Sequence, residues 1–420
     1  MGLPAPTASG VRRQADLISA ARPATAAQVF DQALEQNARR TLALGSTQTF
    51  VPGESTPSNL GAQVALLNVG FNITGDGVWG PRSQAALDSF RRQRGLPLTG
   101  RGPNRADGTA LYAAYQESVA ATEAVRIDQR AASILRMGRA APIAEDGVRG
   151  PATRRAVQSA VTRPPAGMGL QLALSALGYE LAIDGAVGPE TRGQLARFRA
   201  DYGVNASGNA SAADARALFA ALQEHYRREA ARDLEVHHNF FRADGRVARA
   251  VRLSTLRQID AQFREANGRT EGGLFSRHYT IEELFGTGAN SRPSLNRLGR
   301  LGVHGEMLRM LDRATDEYRE ITGNPNATLN RRGGKEILST DRGYPSNRHR
   351  DGWAVDIGDH GGMNLADRRE LVEAFLRAGA TSVGVYPWGV HADVDPRRMH
   401  TTWADGVSNA SLSPVGRYWR

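Results

Sequence analysis

A chain of 420 residues is long enough for several domains rather than one core. It has no cysteine, which excludes a cysteine-rich structural zinc site and is compatible with either redox compartment. A net charge of +10 invites an anionic partner such as wall polymer, outer-membrane surface or nucleic acid. Lys335 is the only lysine, however, and the arginines are scattered over helical stretches rather than grouped with aromatics as a stacking platform, which argues against nucleic acid. No run of eighteen apolar residues occurs, so no transmembrane segment is expected.

Residues 1–55 hold a Pro/Ala/Thr-rich lead and one amphipathic helix with Val29, Phe30, Leu34 and Leu42 as its apolar positions. Met1 to Ala20 has neither a charged start nor a continuous apolar region and does not read as a secretory signal. Then a repeat begins. Asp76-Gly77-Val78-Trp79-Gly80-Pro81-Arg82-Ser83 recurs as Asp146-Gly147-Val148-Arg149-Gly150-Pro151-Ala152-Thr153, and again as Asp184-Gly185-Ala186-Val187-Gly188-Pro189-Glu190-Thr191. In each copy Asp-Gly makes a tight turn, and the proline starts a helix at the position that needs no amide hydrogen. Leu60, Val64 and Leu67 precede the first turn and Ala86, Leu87 and Phe90 follow it. Leu170, Leu174 and Leu177 precede the third, with Leu195 and Phe198 after it, so each unit is helical and buries one apolar face. The middle copy has only a short helix ahead of it, Ala131 to Met137, and reads as degenerate or as a half-repeat.

Leu66-Leu67-x3-Phe71, Phe90-Arg91-x3-Gly95-Leu96 and Leu174-x2-Leu177-Gly178-Tyr179 resemble the words of three-helix peptidoglycan-binding domains. That resemblance implies bacterial peptidoglycan as a partner. It places repeat 1 at 56–115, a degenerate repeat 2 at 116–165 and repeat 3 at 166–226.

Residues 227–270 read as an Arg-rich helical linker interrupted at Asp244-Gly245, in which His237 and His238 are structural. Two long helices are expected further on, around Gly305 to Thr322 and from Asn364 to Gly379. The latter has Asn364 as N-cap, Leu365, Leu371, Phe375 and Leu376 as its apolar residues, Glu370 and Glu373 on a solvated face, and Gly379 as its stop. Ser382–Tyr386 and Val390–Val394 read as two strands joined at Pro387, Trp388 and Gly389, an antiparallel hairpin. Period-two alternation puts Val390, Ala392 and Val394 on one face, and His391 and Asp393 on the other. Trp353, Val355 and Ile357 alternate with Ala354 and Asp356, which turns Asp356 away from the apolar face into a cleft where His391 can meet it. His349, in the loop feeding this strand, can reach the same point through a return that Gly352 permits. Two imidazoles and a carboxylate close three sides of a zinc tetrahedron and leave the fourth open, the pattern of a hydrolytic rather than a structural site.

His349-x2-Gly352-x-Ala354-x-Asp356, Gly384-Val385-Tyr386-Pro387 and His391-x-Asp393 resemble the zinc D-alanyl-D-alanine peptidase family, over roughly residues 271 to 405. Those enzymes cut the peptide stems of peptidoglycan as carboxypeptidases or endopeptidases and include phage endolysins. Tyr279-Thr280-Ile281-Glu282-Glu283-Leu284 is similar to the family's entry segment, and Ile337-Leu338-Ser339-Thr340-Asp341-Arg342 to the strand leading to its arginine. The resemblance implies His349, Asp356 and His391 as Zn2+ ligands, and Arg342 as the residue that holds a substrate carboxylate or carbonyl. Asn347 and Ser346 depart from the family's serine before the first histidine. Trp388 stands where many members carry the glutamate base, so Asp393, which fits the pattern of a sub-group, is the expected general base. The expected architecture is multidomain: all-α three-helix repeats followed by an α+β zinc peptidase domain, 271–420, with a small antiparallel sheet. A wall-cutting enzyme without an export signal fits a phage lysin, free or tail-associated, with phage tail or virion proteins as further partners. A non-lytic carboxypeptidase and a non-cutting wall-docking component are the alternatives.

Overall fold

A computed structural model describes residues 24–140, 143, 145–237, 253–285, 305–329, 353–358, 362–395, 401–412 and 414 of the chain. The first helix, α1 (Ala26–Leu42), starts at a capping box in which Thr25 accepts from the Gln28 amide and Gln28 reaches back. It buries Phe30, Leu34 and Leu42 and leaves Val29 half-buried. The Pro/Ala/Thr-rich lead lies outside the described residues.

The first repeat follows as α2 (Asn59–Asn68), α3 (Pro81–Arg94) and α4 (Arg105–Arg136). Pro81 occupies the first turn of α3, and Gly95, at φ +68°, closes it in the left-handed conformation. Next come α5 (Pro151–Thr162), α6 (Gly167–Ala176), α7 (Pro189–Asp201) and α8 (Ala212–Asp233). Leu66, Leu87, Phe90, Leu111, Leu170, Leu174, Leu195, Phe198 and Leu222 share one apolar core, so the repeats pack together rather than hanging as separate beads.

A buried glutamine organises every turn. Gln63 Nε2 donates to Asp76 Oδ1, the Val78 carbonyl and Ser83 Oγ at 3.1, 2.9 and 2.9 Å, while its Oε1 accepts from the Gly77 amide at 2.7 Å. Gln171 does the same to Asp184, Ala186, Thr191 and Gly185 at 2.7, 3.0, 3.2 and 2.6 Å. Gln129 does it in the middle copy, to Asp146, Val148, Thr153 and Gly147 at 2.7, 3.2, 3.1 and 3.0 Å. The glutamine precedes its aspartate by 13 residues in the outer copies and by 17 in the middle one. The longer stretch masks the correspondence in the sequence.

The outer copies share a second device that the middle one lacks. Arg91 forks onto Asp107 at 2.9 and 2.7 Å, and Arg199 onto Asp214 at 2.8 and 2.8 Å, each aspartate also capping the next helix. The matching residue in the middle copy is Val161, which has no charge to offer. The middle copy is therefore a half-repeat. Its leading helix is not short, as the sequence implied, but the end of the 32-residue α4 that also completes repeat 1. The expected boundary at 115/116 falls inside α4, and the one at 226/227 inside α8.

The remaining described elements are α9 (Leu253–Ala266), α10 (Ile281–Phe285), α11 (Gly305–Thr322), β1 (Ala354–Gly358), α12 (Leu365–Arg377), β2 (Ser382–Tyr386), β3 (Gly389–Asp393) and β4 (Thr401–Ala404). His237 is buried, with Nδ1 at 3.2 Å from Thr41 Oγ1 and its ring edge-on to Phe263, a packed setting that fits the structural reading; His238 lies outside the described residues. In α12, Leu371, Phe375 and Leu376 are buried but Leu365 at its start is exposed, and Gly379 ends the helix at φ +93°. The sheet order is β1-β3-β2-β4, antiparallel except for β4, which runs parallel to β2. The sheet is thus mixed rather than antiparallel. Both edges of β3 are taken by β1 and β2, so the next strand must add at an outer edge, here that of β2. Val355, Ile357, Val383, Val385, Val390 and Ala392 form its buried face, in one cluster with Phe375 of α12 and Leu311 of α11.

That cluster continues into the helical array through Leu60, Met137, Met168 and Leu172. Alongside it lies a buried chain of alternating charges. Arg309 on α11 reaches Glu123 on α4 at 3.0 Å and Asp233 on α8 at 3.3 Å, while Arg126 on α4 bonds Glu306 on α11 at 2.9 Å. Arg309→Ala takes one of two arginines from each of Glu123 and Asp233, which keep Arg126 and Arg277, and a loss of about 2 kcal/mol in chemical denaturation is expected. Gln171→Ala strips a buried turn of its partners and should lower stability by about 2 kcal/mol in the same assay.

Candidate functional site

β1 and β3 are paired so that Asp356 stands directly opposite His391, and Ala354 opposite Asp393. Period-two alternation then sends Asp356, His391 and Asp393 to the face away from the apolar core. Asp356 Oδ1 lies 2.7 Å from His391 Nδ1, and Asp393 Oδ2 lies 3.5 Å from His391 Nε2. His391 is 4% exposed and Asp393 0%. Asp393 Oδ1 accepts from the Thr381 hydroxyl at 3.1 Å and from the Asp395 amide at 3.3 Å, which holds one carboxylate oxygen away from the imidazole and leaves the other toward it.

Burial pushes the His391 pKa down, but hydrogen bonds and charge from Asp356 and Asp393 outweigh it, and the value is raised above the ordinary 6.5. The cluster concentrates negative charge on one imidazole, a donor set of the N/O type that suits a divalent cation such as zinc. Among the described residues, no group of three or more His, Asp and Glu side chains is arranged to enclose a metal ion. His349 and Arg342 lie outside the described residues, as do His360 and His400.

The wall of the site is aromatic, which the sequence reading did not find. Trp403 on β4 lies against Gly384, the residue opposite His391 on β2; a Cβ at 384 would come within 2.2 Å of the indole. Only glycine allows that approach. The Trp403 ring centroid is 5.1 Å from His391, and its Nε1 donates to Tyr386 Oη at 2.8 Å. Tyr386 in turn stacks on Trp388, with centroids 4.8 Å apart and planes at 8°. The one signal available beforehand was Gly384 itself, a glycine in the middle of a strand pattern.

Titratable groups also meet in a cavity of about 280 Å³ between the helical array and α11–α12, lined in part by Arg130, Glu229, Arg313, Glu317 and Arg377. Burial raises Glu317 to about 7 against the pull of Arg377. Glu229 is half-buried, and desolvation opposes the change, yet Arg130 at 2.5 Å brings it down to about 2. Those charges are engaged with one another, and the cavity reads as an ionic seam between modules.

The repeat turns carry the other surface feature. Val78 is 70% exposed and Val148 60%, and Val187 is exposed at the third turn, so each tip presents an apolar side chain to solvent. Residues 168–218, which cover α6 from its second residue through the start of α8, match the family model of a peptidoglycan binding domain. No curated protein and no solved structure matches the chain. The chain thus carries a peptidoglycan-binding domain, with peptidoglycan as partner. No helix among the described residues is long and apolar enough to cross a membrane.

The raised His391 pKa has a measurable consequence in metal-free protein. Its protonated pair contributes stability in full below the ordinary 6.5, and that contribution is lost as pH rises through the higher folded value. Thermal unfolding in chelator should show stability falling above pH 6.5, and His391→Asn should flatten that limb. An unchanged profile in the variant would remove the pair from the account.

Proposed function

We propose that this protein is a zinc-dependent peptidoglycan peptidase that cuts peptide stems or cross-links of the bacterial wall, held on its substrate by the repeats. The observation that carries the proposal is Asp356 set opposite His391 at 2.7 Å in a chain whose residues 168–218 match a peptidoglycan binding domain. His349, Asp356 and His391 would hold the metal. A zinc ion there would supply Lewis acidity for a peptide carbonyl and a lowered pKa for water. The Asp393 Oδ2 oxygen, the one not committed to Thr381, is the proposed proton acceptor, passing the proton on to the leaving amine. Arg342 is assigned to the substrate's carboxylate or carbonyl, which its guanidinium fork suits.

Docking on the wall raises the local concentration of stems, which favours an endopeptidase over a trimming carboxypeptidase. A phage lysin, free or virion-associated, is the setting we assign, acting in the periplasm or cell wall. The division into a helical lead at 1–55, repeat 1 at 56–115, a degenerate repeat 2 at 116–165, repeat 3 at 166–226, a linker at 227–270 and a peptidase unit at 271–420 belongs to the same proposal, with α4 and α8 running across two of its boundaries. One observation favours a second reading, a wall-docking component that does not cut. Trp388 occupies the position of the usual glutamate base, and Asp393 is fully buried.

Purified peptidoglycan digested by the protein should release split stems in mass spectrometry, and a zinc chelator should abolish the release. His349→Ala, Asp356→Ala and His391→Ala should each lose bound zinc by elemental analysis together with activity. Release of terminal D-alanine alone would make the protein a carboxypeptidase. No product from folded, zinc-loaded protein would leave the docking reading.

A further inference from the structure

Trp388 lies in the two-residue turn of the β2–β3 hairpin, and that turn is clamped from several sides. The Pro387 carbonyl accepts from the Met363 amide at 2.9 Å. The end of β1 passes so close that a Cβ on Gly358 would meet the Trp388 carbonyl at 2.0 Å, and one on Gly389 the Ile357 carbonyl at 2.1 Å. Gly406, beyond β4, comes within 3.1 Å of the Pro387 ring in the same sense. The turn is therefore preorganised, and so is the side chain it carries, because Trp388 lies flat on Tyr386, which is held in turn by the Trp403 indole.

The result is a shelf of three contacting aromatics, Trp388 flat on Tyr386 and Trp403 edge-on to it, that ends against His391. All three aromatic residues are partly exposed. Exposed aromatics in contact with one another, unlike single ones, mark binding surfaces. The stacked geometry of Trp388 commits one ring face to Tyr386, and the part of Trp388 that stays exposed is where a ligand would lie.

Building on the peptidase proposal above, we infer that this shelf is a sugar-stacking subsite. It takes an N-acetylhexosamine ring of the glycan strand beside the stem being cut, and so makes the protein select glycan-linked stems over free peptides. The chemistry separates the two halves of the polymer. A pyranose ring presents a flat C–H face that matches a flat indole, and it carries no charge to be repelled by Asp356 and Asp393 close by. A stem of small amino acids ending in a carboxylate offers neither the flat face nor the neutrality. In this role Trp388 is a specificity-determining residue and has no part in proton transfer.

The test compares two substrates on the full zinc-loaded chain: a disaccharide-linked stem peptide from purified peptidoglycan, and the same stem freed of its sugars. Trp388→Ala should lower kcat/KM on the disaccharide-linked stem by about tenfold, the scale of one lost aromatic contact, and the loss should appear in KM. Turnover of the free stem should be unchanged, and Trp388→Phe, which keeps a ring, should recover most of the loss. Equal losses on both substrates would mean that Trp388 only supports the hairpin, and no loss on either would empty the shelf of function; both overturn the inference. Calorimetric titration of chelator-treated protein with the same two ligands keeps it testable if the wild type proves not to cut. Weaker binding of the disaccharide-linked stem alone in Trp388→Ala supports the subsite, and equal affinities of wild type and variant overturn it. Sugar contacts made by the repeats are common to both proteins, so the difference isolates position 388.

Discussion

The candidate site depends on the register between β1 and β3. Strand side chains alternate with a period of two, so a slip of one residue would send Asp356 into the apolar core and bring an aliphatic side chain out opposite His391. Burial prevents the slip: Val355 and Ile357 on β1, and Val390 and Ala392 on β3, are fully or almost fully enclosed, and none could trade places with a carboxylate. A second layer holds the partners in turn. Gly384 lets Trp403 close over β2, and Thr381 fixes Asp393, so the polar face is oriented by groups that do no chemistry themselves.

The helical half works on another principle. Every turn has the same buried amide at its centre, but the outer copies add an arginine–aspartate fork that ties the second helix to the start of the third. The middle copy has the amide without the fork, borrows its first helix from repeat 1 and meets α8 of repeat 3 on the other side. Shared helices make the array a single packed body. The exposed tips at Val78, Val148 and Val187 are therefore carried on a common frame rather than on flexible beads.

The junction between the halves combines apolar packing with a buried run of alternating charges. Such networks contribute little net stability when complete, but they penalise any arrangement that leaves one member alone. Arg309, with Glu123 on one side and Asp233 on the other, thereby sets the angle at which α11 meets α4 and α8. The C-terminal unit, the peptidase of our proposal, would reach the wall in a set orientation relative to the repeats, instead of searching on a tether.

Local pattern alone determined a good deal. The helices at 305–322 and 365–377, the hairpin around residues 387 and 388, and the faces of Asp356, His391 and Asp393 all follow from periodicity and turn chemistry, which act over a few residues. The outer repeats were legible for the same reason, since Asp-Gly and Gly-Pro carry their conformations with them. Tertiary structure decided what depends on distant partners. Gln63, Gln129 and Gln171 look like ordinary helical residues until the turns fold back onto them, and Val161 reveals the half-repeat only beside Arg91 and Arg199. The parallel β4, the aromatic shelf and the ionic junction belong to the same class. Each joins side chains far apart in the chain, and no short-range propensity records which distant groups will meet.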